Sequence, residues 1–275
     1  MTDFEKGNQT NKYDYIYPQA AYNQNSNEYQ NHQYDTQYTN SYEQPGYYIG
    51  DQLTPLIDQN KRLKFIQKVY LILSIMLIWT SSIVMLCFLS NPVYSFIINN
   101  IWIFYTALAL YFILFIVLVC FSRVARKKPW NYIFVFLFAT AVGIVLGTSI
   151  PGNYDGTYVL ICLAITLFIT FSVSIYACQT KKDFTTKGGL LFSLFVSLLV
   201  LIILQFFMRD RIIGLLISVF GAFLMTIYII YDTQIIVGGK HRQYQLGSEE
   251  HVFATLMLYT DILNLFLFIL GIGRK

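Results

Sequence analysis

From Val69 to the end of the chain, apolar runs long enough to cross a bilayer follow one another with only short polar breaks. A helix needs about 20 apolar residues to traverse the hydrocarbon core. Inside lipid the protein itself must satisfy every backbone N–H and C=O, which leaves helices or a closed barrel. These runs show no alternation of apolar and polar residues and are apolar on all sides, so they predict helices rather than strands. Spans are expected near residues 69–89, 101–121, 132–150, 157–177, 189–208, 212–236 and 251–272. Turn-forming residues separate several of them, at Ser90-Asn91-Pro92, Lys127-Lys128-Pro129, Pro151-Gly152-Asn153 and Gly238-Gly239. The expected fold is an all-α integral membrane protein with seven transmembrane helices. The seventh carries Asp261 and Asn264. Re-entry is its alternative, which leaves the side of the C-terminus open.

Composition agrees. Hydrophobic residues make up 56% of the chain and charged residues 12%, about half the charged fraction of a soluble domain. An ordinary soluble enzyme is excluded on that ground, and no P-loop, GxGxxG or GxSxG pattern occurs, so no enzyme activity is expected. Residues 1–58 hold eight acidic and two basic side chains, and residues 59–275 hold seven acidic and seventeen basic ones. The basic excess belongs to membrane-flanking loops and is not a nucleic-acid footprint. Residues 1–58 are rich in Tyr, Asn and Gln and lack a helical or strand period, so they are expected to form a disordered polar tail. The first apolar run starts well beyond residue 30, too late for a signal peptide.

Orientation follows from the lysines and arginines. Fifteen lie on the side of the N-terminal tail, in the tail itself, in residues 59–68 before span one and in the loops after spans two, four and six. The other side holds Arg209 and Arg211, joined by Arg274 and Lys275 if all seven helices cross. The tail is therefore expected in the cytosol. Seven-helix receptors have the opposite orientation, and a retinal pump needs a lysine inside a late span, where none exists.

A charged side chain at the bilayer centre costs about 2.5–3.5 kcal/mol on insertion scales, so intramembrane carboxylates are functional candidates by default. Asp232 lies in Tyr231-Asp232-Thr233-Gln234 and Asp261 in Tyr259-Thr260-Asp261-Ile262. An antiparallel hairpin turning within Gln245-Leu246-Gly247-Ser248 would place both about 15 Å deep. That equality requires span six to stay helical to about His241, whereas a stop at Val237 is expected to offset the pair. Two carboxylates in a low-dielectric site resist joint ionisation and titrate as a unit, the physics of a proton switch or of an acid/base dyad. Thr233 and Asn264 can add oxygens, but the set falls short of the six to eight that tight calcium binding uses. No cofactor and no tight metal are expected. Each Asp can instead serve separately as a kink cap or an interhelical contact.

Other residues carry weaker signals. Asp183 sits beside Lys181 and Lys182 at a span boundary, where a salt bridge or a helix cap is expected. Gly143 and Gly147 form a GxxxG face suited to close packing. Ser248 before Glu249 and Glu250 suits an N-cap. Cys87, Cys120, Cys162 and Cys178 lack the spacing of a disulfide framework or zinc site. His241 and His251 flank the last loop and are read as ordinary loop histidines.

The stretches Lys128-Pro129-Trp130-Asn131, Gln179 to Thr185, Tyr231 to Gln234, and Glu249-Glu250 followed by Tyr259 to Phe266 resemble the Bax inhibitor/lifeguard family. The similarity runs in order over about residues 60–275 and is closest to the lifeguard branch, whose members also carry a polar cytosolic tail. Where family members often place a proline before the Glu pair, this chain has Ser248. The resemblance implies a seven-helix fold with the last helix central, and a pH-sensitive calcium leak across an internal membrane that restrains cell death. Calcium enters as the permeant ion. The family's di-aspartyl pH sensor falls on Asp232 and Asp261, and a basic residue of the second span is expected to latch it. Residues 101–121 contain no Arg or Lys, which leaves Arg123 and Arg126 as latch candidates.

Three function classes are weighed. The first is a cation leak gated by the two aspartates. The second is a non-conducting scaffold that binds apoptosis or calcium-channel regulators. The third is an intramembrane aspartyl protease, which needs a GxGD motif and a later Pro-Ala-Leu, and this chain has neither. Endoplasmic reticulum or Golgi is expected, with the plasma membrane as alternative.

Overall fold

The apolar runs become helices, and among the described residues they break at Ser90, at Pro151-Gly152-Asn153 and at Gly238. The computed structural model describes residues 50–120, 130–238, 242–247 and 250–273, all within the unit Tyr48–Lys275. Among the described residues there are eight α-helices, one 3-10 turn and no strand. They are α1 (Gly50–Leu89), α2 (Asn91–Asn99), α3 (Trp102–Cys120), α4 (Trp130–Ser149), α5 (Gly156–Gln179), the turn Thr185–Lys187, α6 (Gly188–Met208), α7 (Arg211–Val237) and α8 (His251–Ile272). Six segments are long and apolar enough to cross a membrane. Helices α2 and α3 meet the same measure as a pair bent by 83° at Asn100-Ile101, which brings the number of crossings to seven if the pair forms one broken span rather than a re-entrant loop.

Helix α1 starts at Gly50, inside the stretch read as polar tail. Leu53, Leu56 and Ile57 recur there at helical spacing and continue the pattern of the span behind them. Residues 1–49, where most of that tail lies, fall outside the described residues. So do Arg123 and Arg126, His241, Ser248 and Glu249.

The last helix is central. In α8, 61% of the apolar window is buried, against 11% for the segment containing α6. Helix α8 packs on α7, α1, α5 and α4, while α3 packs on α4, and α6 on α7. Its Tyr259 is fully buried and shares a 2.6 Å hydrogen bond with the Thr80 hydroxyl of α1. The outward faces of α5 and α6 keep large apolar side chains such as Phe168, Phe171 and Phe192 exposed, as surfaces solvated by lipid should.

Close packing also appears where Gly143 and Gly147 predict it. A Cβ at Gly143 would lie 2.7 Å from Ile83 Cδ1, and one at Gly147 would lie 2.8 Å from Cys87 Sγ. Both glycines therefore admit α1 against α4. Replacing Gly147 with Leu should destabilise the bundle by about 1–3 kcal/mol through overpacking. Thermal unfolding in detergent reads this, and an unchanged midpoint would mean the two helices are not in contact there.

Candidate functional site

Helix α7 ends early, and that ending shapes the site. Gly238 closes it with φ +63° and ψ −156°, a conformation essentially confined to glycine. A Cβ here would also collide with Gln245 and Arg62. Asp232 thus lies five residues, about 7.5 Å, from the end of α7, while Asp261 lies ten residues, about 15 Å, from the start of α8.

The expectation that a stop at Val237 would offset the pair is corrected by the contact between them. The carboxyl groups of Asp232 and Asp261 come within hydrogen-bonding reach of each other, because α8 outreaches α7 by five residues, about one and a half turns. Residues 242–247 fold back over the truncated end, and Leu246 N–H donates to Ile235 O at 3.2 Å.

Both carboxyls are buried, Asp232 at 3% and Asp261 at 8% exposure. A hydrogen bond between two carboxyl groups requires a proton on one of them. Asp232 Oδ1, Asp261 Oδ2 and Thr233 Oγ1 are buried without a hydrogen-bond partner, an unusual concentration of unsatisfied polar atoms. Tyr228 faces both carboxyls, and the Tyr70 hydroxyl lies near Thr233 and Ser174. Asn264, one turn along α8 from Asp261, is half-buried and makes no hydrogen bond among the described residues.

Two arginines close the lysine- and arginine-rich end above the pair. Arg62 of α1 donates from Nε to Val237 O at 3.0 Å, from Nη1 to Leu246 O at 2.6 Å and from Nη2 to Ile235 O at 2.7 Å. One guanidinium therefore satisfies carbonyls left open at the end of α7 and sits at the negative end of its dipole. Arg242 donates to Lys182 O at 2.6 Å, Thr180 O at 2.7 Å and Ala177 O at 3.0 Å, binding the loop to the end of α5. The fully buried Gln234 accepts from Phe184 N–H at 2.8 Å and donates to Lys182 O at 3.0 Å.

Asp183 completes this closure. Its Oδ1 accepts from Thr185 N–H and Oγ1–H at 2.9 and 2.6 Å, and its Oδ2 accepts from Gln243 N–H at 2.9 Å. It closes a local turn onto Thr185 ahead of the 3-10 segment, whose N-cap position is Phe184, and also joins two loops. Against a desolvation penalty, these hydrogen bonds and the nearby Arg242 charge hold its carboxyl below the usual carboxylate range.

Sequence reasoning counted Arg62 and Arg242 only as orientation charges and passed over Gln234. An amide beside an intramembrane Asp was the available signal for Gln234. The arginines bond to backbone carbonyls, which leave no mark in a sequence. His251 is corrected too. It is buried at the first position of α8, with Nε2 3.4 Å from the Tyr132 hydroxyl in the first turn of α4, because α8 begins level with α4 and packs against it. The N-cap of α8 is Glu250, whose carboxylate accepts from Gly247 N–H at 3.2 Å. Cys87, Cys162 and Cys178 are free thiols.

Arg62→Ala should cost about 1.5–3 kcal/mol, the range for a hydrogen bond to a charged group with its acceptors left partly buried. Lysine should recover less than half, since a point charge cannot reach three carbonyls at once. Thermal midpoints of the two variants test this, and equal midpoints for Ala and Lys would remove the geometric argument. Asp183 has its folded-state value depressed, so its stabilisation is present above the ordinary carboxylate value near 4 and is lost as pH falls through and below it. The thermal midpoint of wild type should therefore drop more steeply than that of Asp183→Asn as pH falls below about 4. Parallel curves would show that Asp183 contributes nothing specific.

Comparison with known proteins places this geometry. Residues 62–274 match the family model described as "Inhibitor of apoptosis-promoting Bax1". The chain is 34% identical to Protein lifeguard 3 of Homo sapiens and 33% identical to Protein lifeguard 3 of Mus musculus, each over 78% of this chain and 69% of the relative. It is 33% identical to Bax inhibitor 1 of Schizosaccharomyces pombe over 80% of both chains. This membrane protein, with its central last helix and paired aspartates, belongs to the Bax inhibitor/lifeguard family.

Proposed function

We propose that this protein is a pH-sensitive calcium (cation) leak channel of an internal membrane, switched by Asp232 and Asp261, with restraint of cell death as its output. The observation that carries the reading is the contact between two buried carboxyls, one on each of the two most closely packed helices, with an oxygen of each left without a partner. The names of the relatives, lifeguard and Bax inhibitor, support the cellular output.

The pair with one shared proton holds α7 to α8. When that proton leaves, two negative charges face one another in a low-dielectric site and need a cation between or beside them. Arg123 or Arg126, from the segment after α3, supplies that cation and latches the pore shut. Proton binding cancels charge on the pair, weakens the latch and opens the path. The arginine-bound loops over the pair are the barrier on the cytosolic side, since the lysine- and arginine-rich end faces the cytosol. Calcium passes as a transported ion. Two carboxyls with Thr233 and Asn264 offer fewer oxygens than a tight site needs, and among the described residues no cluster of three or more metal-ligating side chains occurs.

Calcium flux from proteoliposomes over about pH 5.5–8 tests the switch, a range in which a coupled carboxyl pair can exchange its shared proton. The wild-type leak should rise as pH falls, and the Asp232→Asn/Asp261→Asn variant should flatten the profile. A variant that keeps the wild-type profile places the switch elsewhere. Absence of leak from folded wild type at every pH would leave the protein a scaffold for regulators, with the aspartates as structural contacts.

A further inference from the structure

At the opposite end of the bundle from the arginine closure, α6, α7 and α8 border an open cavity of about 950 Å³. Its wall includes Ile202, Phe206 and Leu215, which are themselves 40%, 71% and 43% exposed on the lipid-facing side of α6 and α7. The cavity therefore opens sideways toward acyl chains as well as outward at the helix ends. Its rim carries Arg209 and Arg211, where the apolar runs of α6 and α7 stop and the membrane interface begins.

Two features point to an occupant. First, neither guanidinium has a hydrogen bond or ion pair among the described residues. Asp210 between them is turned away, its carboxylate accepting from Ile212 and Ile213 N–H at 2.8 and 3.0 Å as the N-cap of α7. Second, Arg209 takes the left-handed conformation at φ 51° and ψ 27°. That conformation costs an L-residue about 1–2 kcal/mol and is served at a helix end by glycine or asparagine. Strain of this kind at a cavity rim directs attention to the side chain it carries.

We propose that this cavity binds an anionic phospholipid. Arg209 and Arg211 hold its phosphate, and an acyl chain lies along Ile202, Phe206 and Leu215. Paired guanidiniums suit a phosphate. The apolar wall open to the bilayer selects a lipid over a soluble phosphate.

The test uses the full chain in phosphatidylcholine vesicles doped with phosphatidylglycerol bearing a photoreactive group on its acyl chain. Mapped adducts should concentrate on residues 202–215, and phosphatidylcholine with the same photoreactive chain should label them much less. Arg209→Gln/Arg211→Gln should lower labelling of 202–215 about tenfold relative to adducts at the lysine- and arginine-rich end, the loss matching one charge-assisted hydrogen bond. Leu215→Trp, which fills the wall and leaves both arginines, should lower it as well. Equal labelling by the two lipids, or a double variant that keeps the wild-type ratio, overturns the proposal. Displacement of the label by free glycerophosphate would show a soluble-phosphate site and overturn it equally.

Discussion

Hydrocarbon does not tolerate an unpaired backbone polar group, and most of this architecture follows from that constraint. It makes each apolar run a helix, and it makes the ends of helices the places where structure must be supplied from elsewhere. Helix α7 is the sharpest case. Gly238 ends it below the level its neighbours reach, so its last carbonyls face the protein interior rather than water. A returning loop and the guanidinium of Arg62 meet them there.

The two aspartates depend on the same arrangement. Helix α8 extends about one and a half turns past the end of α7, and this difference in reach sets Asp261 beside Asp232. The loop that fills the difference lies over the pair and is bound on one side to α1 through Arg62 and on the other to α5 through Arg242. Stability and the proposed gate thus use the same contacts: a bond that caps a helix also bars the way to a titratable pair.

Much of this was legible in the sequence, for identifiable reasons. Hydrophobic length marked the crossings, because desolvation of the backbone is set by composition. The cost of a buried charge marked Asp232 and Asp261, and the spacing of small residues marked the α1–α4 contact at Gly143 and Gly147. What escaped was set by geometry. The 83° bend between α2 and α3 divides what was read as a loop and one span. The exact stop of α7 decides whether the carboxyls meet, and Gly238 permitted either reading until its left-handed backbone was seen. His251 looked like a loop residue because nothing in the local sequence tells that α8 begins there, against Tyr132 of α4.

The closure over the aspartates has an uneven dependence on chemical identity. Its acceptors are the main-chain oxygens of Ala177, Thr180, Lys182, Ile235, Val237 and Leu246, and any amino acid brings such an oxygen. Its donors are two guanidiniums that no other side chain can imitate. Sequence drift along these loops can therefore be wide while the barrier stays intact, provided that Arg62, Arg242 and the single glycine that lets the chain turn back are retained.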